Sequence, residues 1–397
     1  MRIQGASAGT PFLIDWRSKV DTGALIAFFE DLHRHPELAF EEVRTTAKVR
    51  RALTDAGIEL LDTGLPTGLI AVIRGSRPGR VIGLRCDLDA LPIQEETALP
   101  YASEEPGKMH ACGHDFHTAC MLGAALLLKE RQKDLAGTVK IVFQPAEEAG
   151  TGGSRSVVAT GLLNDVEEFY AIHSYPYFNV GTLGIKEGAV MAAPDRFSVT
   201  LYGKGAHAAQ PHDAIDPVPA LAALIEGFQT AVSRNADPFD PAVVTIAKVQ
   251  AGTAWNVIPE TAALEGTVRT LDNGVRAMIR RRLEALAASI AAAYGCTADF
   301  RYAEGPDPVI NDASLCAVCR DLALRSGFQV DRQEDTMGGE DFSEYLKICP
   351  GVFVRVGTGG HIASHHPAFT VDSAALPAAA EYFAALARER AEYIKGE

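Results

Sequence analysis

The sequence predicts an α/β protein built on a mixed or mostly parallel sheet and interrupted by a smaller α+β unit. Three observations lead there. Short β-branched runs alternate with helical patterns through the first half of the chain. Near residue 185 the texture changes to three strand-like runs with two helix patterns between and after them. Beyond residue 305 the first style returns.

Taken in order, residues 42–56 carry a helical pattern ending near Gly57, and LIAVIR (69–74) is a strand. VIGLR (81–85) is another strand, 117–131 a buried helix, and VKIVF (139–143) and FYAIH (169–173) two more strands. Past residue 185, FSVTLYG (197–203), VVTIAKVQ (243–250) and AALEGTVRTL (262–271) read as strands, with helices over 217–233 and 274–294. Gly295 closes the second helix as a C-cap would. GPDPVIND (305–312), a helix near 313–326, the strand GVFVRV (351–356) and a helix over 373–394 resume the first pattern. The expected organisation is therefore a discontinuous unit, 1–185 with 297–397, holding an insertion, 186–296.

A chain of 397 residues fits two units. With 47% hydrophobic and 22% charged residues, it carries enough apolar surface for a packed interior, which argues against disorder. A formal net charge of -14 argues against nucleic acid or an anionic membrane as main partner. Seven scattered cysteines read as reduced intracellular thiols. The opening MRIQGASAGTPF has no apolar signal region, and the longest apolar run, 119–128, is too short to span a bilayer. A cytoplasmic location is expected.

Four potential ligands crowd MHACGHDFH: His110, Cys112, His114 and His117. Others stand at His173, His207, His212, His361, His365 and His366. Imidazole, thiolate and carboxylate bind catalytic divalent metals, and loops after strands are where α/β sheets build sites. A lone loop histidine is more often structural; the clustering shifts that balance. In QPAEEAGTGG (144–153), the adjacent Glu147 and Glu148 diverge, so one can face a metal and the other a water. A solvated acidic loop is the alternative, which sits poorly with glycines that let backbone approach a ligand. In LRCDLDALP (84–92), Asp87 and Asp89 ligate metal, hold a ligand histidine from behind, or merely form a surface turn.

Other signals carry less. Cys316 and Cys319 lie one turn apart on one helix face and read as buried thiols. AGTGGS (149–154) lacks the Gly-Lys-Ser/Thr of a phosphate loop. His33 and His35 read as shaping a helix end, and Glu340 and Asp341 as pocket or turn.

HACGHDFHT, FQPAEEAGTGG, AIHSYP, GKGAHAAQPH, NVIPETAALEGTVRT, MGGEDFSEY and SHHPAFTVD, with DLHRHPELAFEE (31–42) before them, stand in the order and spacing of the M20 metallopeptidase family. They resemble its amidohydrolase branch of hippurate hydrolases, N-acyl amino acid deacylases and auxin-conjugate hydrolases, over nearly the whole chain. The resemblance implies a catalytic unit with two divalent cations (Mn, Zn, Co or Ni) and an inserted lid or dimerisation unit. Cys112 would bridge the cations, Glu148 and His365 completing one site and His114 and His173 the other. His365 is chosen over His366 because it stands two residues before the proline. Glu147 would be the general base, and His207 and Asn256 would meet the oxyanion, His207 from the same subunit or its partner. Arg269 would hold a carboxylate.

The implied activity is hydrolysis of N-acyl amino acids by a metal-activated water. The alternatives are a dipeptidase or carboxypeptidase of the same family, or a non-catalytic metal-binding module. Implied partners are the small-molecule substrate and further copies of the chain, as a homodimer or homotetramer. Cys86 stands where many members carry a small residue, as a packed core thiol or a further metal contact.

Overall fold

The computed structural model describes residues 21–150, 152–332 and 336–393. The opening dodecapeptide, Thr151 of the glycine-rich run and residue 394 of the expected last helix lie outside them.

The apolar runs that read as strands do so because they are buried on both faces, as the centre of a parallel sheet must be. Four parallel neighbours form that centre in the order Ala136–Gln144, Arg77–Asp87, Glu168–Tyr175 and Gly351–Gly357. Leu69–Arg74 and then Glu59–Leu61 extend one side antiparallel. Thr182–Gly184 and Gln329–Asp331 extend the other, making a mixed sheet of eight strands. Helices Thr22–Arg34, His114–Glu130 and Leu376–Glu392 bury one face over a core that includes Phe29, Leu84, Phe116, Ile172 and Phe383. Phe169, Phe342, Tyr345 and Phe353 fill the other. Parallel direction puts the carboxyl ends of the four central strands at one edge of the sheet, where such sheets place their sites.

The helix expected from residue 117 begins at His114. Gly113 supplies the reason: its φ is 84°, and a Cβ there would lie 2.5 Å from Ser174 Oγ. The turn that only glycine makes here brings His114 and His117 onto the helix's first turn. The last helix starts at Leu376, after a short 3-10 turn over Ser373–Ala375, and ends at Glu392.

The inserted unit is an antiparallel sheet in the order Ala242–Ala251, Thr261–Thr270, Ala193–Tyr202 and Thr297–Ala303. Helices Pro217–Ser233 and Asn273–Ala293 pack on it through Phe197, Leu201, Leu224, Phe228, Leu264 and Leu283. Thr297–Ala303 pairs with residues 196–202, so the sheet runs past residue 296, and Gly188–Met191 pairs with Val309–Asn311.

All seven cysteines are unpaired thiols. Cys86 is fully buried in the core with Sγ 3.6 Å from the Val142 carbonyl, which makes it a packed thiol. Cys316 and Cys319 are buried on the helix Ala313–Arg325. Among the described residues no helix is long and apolar enough to cross a membrane.

Candidate metal centre

Each ligand type named from the sequence is delivered by the carboxyl end of a central strand or by the loop after it. His173 lies in Glu168–Tyr175, while Cys112 and His114 flank Gly113 at the mouth of their helix. Glu147 and Glu148 follow Ala136–Gln144 through Ala146, which is left-handed at φ 54° and whose N–H donates to Glu42 Oε1 at 2.7 Å. His365 is left-handed too, at φ 67°, with its N–H on the Ala111 carbonyl at 2.8 Å. Non-glycine residues rarely hold this conformation unless their surroundings enforce it.

Donor atoms of Cys112, His114 and His173 lie within 4.8 Å of one another, and so do those of Cys112, Glu148 and His365. Cys112 is common to both groups, with Sγ 3.6 Å from His173 Nε2. His365 Nε2 lies 3.1 Å and His114 Nε2 3.9 Å from the same Glu148 oxygen. The tautomers follow from the outer contacts. His173 Nδ1 donates to the Ser174 carbonyl at 2.7 Å, and His114 Nδ1 faces Asp89 Oδ1 at 3.3 Å. Each Nε2 lone pair is thereby turned inward. His114 Nε2 is buried with no hydrogen-bond partner among the described residues. Buried polar atoms are seldom left so unless something else meets them. One thiolate, three imidazoles and a carboxylate, arranged as two groups sharing a sulfur, fit two divalent cations.

Behind this ring, Asp89 accepts the backbone N–H of Glu147 at 3.0 Å and of Glu148 at 2.8 Å. One carboxylate thus fixes the turn that separates the two glutamates. Asp87 and Asp89 are fully buried, which a surface turn would not be. Glu340 and Asp341 are also buried, and both lie in the wall of the cleft. Burial pushes the Glu147 carboxyl well above its usual range, and Glu340 and Glu148 add to this by repulsion. Burial likewise moves Cys112 up to about 12, reinforced by Glu148. Burial and then His117 hold the His173 imidazole well below its usual range.

Sequence reasoning missed Arg85. Fully buried, it donates to Gln144 Oε1 at 2.9 Å, Asp87 Oδ2 at 2.7 Å and Asp341 Oδ1 at 2.8 Å, and it lies 3.0 Å from Glu340. The available signal was a lone charge inside the apolar run VIGLRC. His33 was also underrated: it is buried between Asp115 and Glu95, whereas His35 does close the helix end, on the Asp31 carbonyl.

A cleft of about 590 Å³ opens over the centre. Its walls include Tyr175, Tyr177 and Met191 from the large unit and Arg269 from the inserted sheet. His207 and Asn256 stand apart on the two-stranded ribbon of Ala206–His207 with Val257–Ile258, where the Ala208 N–H donates to the Asn256 carbonyl at 3.1 Å. His207 is exposed, and neither residue lines the cleft. Within one chain the structure gathers Cys112, His114, Glu147, Glu148, His173 and His365, with Asp87 and Asp89 behind them and Arg269 in the cleft wall. It leaves His207 and Asn256 outside.

Residues 83–389 match the model of peptidase family M20/M25/M40. The chain is 48% identical to an N-acetylcysteine deacetylase of Bacillus subtilis over 94% of its own length and 98% of that protein's. It is 40% identical to an N-acyl-L-amino acid amidohydrolase of Geobacillus stearothermophilus, covering 72% and 78% of the two chains. A solved Bacillus subtilis structure, described as a dinuclear metal binding peptidase from the M20 family, superposes with a TM-score of 0.85 at 46% identity, covering 94% and 99%. With the family's ligand types assembled at one sheet edge and the match running almost from end to end, this chain belongs to the M20/M25/M40 peptidase family, in its amidohydrolase branch.

Proposed function

We propose that the protein hydrolyses the amide bond of N-acyl amino acids with the help of two divalent cations drawn from Mn, Zn, Co or Ni. The observation that carries this reading is the placement of Glu147, a half-buried carboxyl in the cleft wall beside two donor groups that share Cys112. Bound there, such cations supply Lewis-acid polarisation of a carbonyl and an acidified water.

The chain's own residues do the rest. Glu147 accepts the proton of the attacking water and returns it to the leaving nitrogen. Asp89, by clamping both glutamate N–H groups, keeps the base and the ligand Glu148 pointed apart. Arg269 holds the substrate carboxylate from the inserted sheet. His207 and Asn256 donate to the oxyanion from a second copy of the chain, a contribution of about 3–4 kcal/mol for a well-placed donor. The support for a homodimer is that an exposed ribbon carries these two groups outside their own cleft. Unpaired thiols agree with a reducing, cytoplasmic setting.

The deciding experiment is chelation, followed by readdition of single cations and assay on hippurate, N-acetyl amino acids and dipeptides. Metal-dependent release of amino acid from the N-acyl substrates is expected. No hydrolysis with any cation, or a preference for the dipeptides, would sink the reading.

A further inference from the structure

We propose that Arg355 makes the cleft selective for substrates with a second carboxylate, a refinement that rests on the amidohydrolase reading above. In the parallel pairing of Gly351–Gly357 with Glu168–Tyr175, Arg355 is the direct partner of His173. Side chains alternate along a strand, so residues two apart share a face. Phe353 packs with Phe169 and Ala171, its ring centroid 5.5 Å from that of His173. Arg355 and His173 therefore project from the same face, one strand apart.

The Arg355 guanidinium is held by groups of the cleft itself. Its carbon lies 4.8 Å from the Tyr175 ring centroid, and Nη2 lies 3.2 Å from Met191 Sδ. Arg355, Tyr175 and Met191 all line the cleft, although Arg355 is only 5% exposed. A planar fork seated on an aromatic face has lost most of its freedom before a ligand arrives and matches a carboxylate with two parallel N–H donors. Arg269 enters the same cleft from the opposite unit. An N-acyl derivative of a neutral amino acid has one carboxylate and engages one arginine. Two fixed cations on different walls, in a chain of net charge -14, fit a dianion.

The second carboxylate has two possible sources, the side chain of the amino acid or the far end of the acyl group. N-acetyl-L-glutamate against N-acetyl-L-glutamine tests the first, and N-succinyl-L-alanine against N-butanoyl-L-alanine the second. In at least one arm the wild type should favour the dianion in kcat/KM by about 10- to 100-fold, the scale of a hydrogen bond to a charged group. Arg355→Gln should remove that preference by lowering the dianion alone, and Arg355→Lys should keep part of it. Calorimetry with L-glutamate and L-glutamine reads the same contact without turnover. Equal kcat/KM within both arms, or an Arg355→Gln variant that slows neutral and acidic substrates alike, would overturn the proposal. If Arg355→Gln does not fold, the wild-type preference and its partial loss in Arg355→Lys decide. If no amide is cleaved at all, the parent reading falls, while a glutamate preference in binding that Arg355→Gln or Arg355→Lys weakens would still uphold Arg355.

Discussion

His117 and Asp87 share a hydrogen bond of 2.6 Å from Nδ1 to Oδ1, directly beneath the donor ring. The other nitrogen of His117 accepts the Ser174 N–H, also at 2.6 Å. Both ring nitrogens are committed, so His117 has no lone pair for a cation, although Asp87, His114 and His117 offer atoms within 4.8 Å of one another. Burial lowers its pKa, in keeping with this neutral tautomer. His117 thus supports the centre without ligating it. His117→Ala is expected to weaken metal affinity by roughly 10- to 100-fold, as loss of a supporting contact does. Competition titration against a chelator measures this, and unchanged affinity would remove His117 from that role.

Among the described residues, Arg85 is the only guanidinium joined to Asp87, Glu340 and Asp341 together, all of them buried. Replacing it with methionine keeps most of the volume but leaves three carboxylates with one cation fewer. Removing one partner from a buried ion cluster costs about 3–5 kcal/mol. Urea unfolding of Arg85→Met should show a loss of that order. A change of about 1 kcal/mol or less, typical of an exposed pair, would mean the cluster is solvated.

Glu147→Gln leaves every proposed ligand in place and removes only the group that can take and return a proton. Metal content, read by elemental analysis, should stay at the wild-type level while turnover falls by 10²-fold or more. Substantial activity in the metal-replete variant would take the base role away from Glu147.

Much of this centre was legible because its chemistry is written in residue types that do little else in a loop after a strand. Cys112, His114, Glu147, Glu148, His173 and His365 all announce themselves that way. Arg85 does not, because one charge in an apolar run looks like a strand end until burial is known. The helix start at His114 depends on Gly113, where a positive φ and the close approach of Ser174, about sixty residues away, each disfavour a side chain. The strand Thr297–Ala303 escaped for a similar reason. Its pairing with residues 196–202 spans about a hundred residues, whereas the cap at Gly295 is a local signal.

His33 ties the first helix to the metal-binding turn, with Nδ1 2.7 Å from Asp115 Oδ2 and Nε2 3.3 Å from Glu95 Oε1. Burial disfavours its cation, but Asp115 and Glu95 outweigh that and raise its pKa from 6.5 to about 9. A group whose folded pKa is raised stabilises fully below its unfolded value and loses that contribution as pH climbs through the folded one. The stabilisation should thus be complete below about pH 6.5 and gone above about pH 9, a change of about 3 kcal/mol. Unfolding free energies measured across that range should fall for the wild type and stay flatter for His33→Gln. Parallel profiles would show that His33 is not the titrating group.

The exposed ribbon of His207 sets the last prediction, which needs two inactive proteins. His207→Ala should lower kcat with metal content unchanged, since His207 is not among the gathered ligands. If its ring serves the partner's cleft, a mixed dimer of His207→Ala with Glu147→Gln holds one cleft with an intact Glu147 from one chain and an intact His207 from the other. Co-refolding the two should then restore activity toward a quarter of the wild-type level, because random pairing makes half the dimers mixed and each mixed dimer repairs one of its two clefts. If His207 serves its own cleft, every cleft in the mixture lacks one group, and activity stays at the level of the single variants.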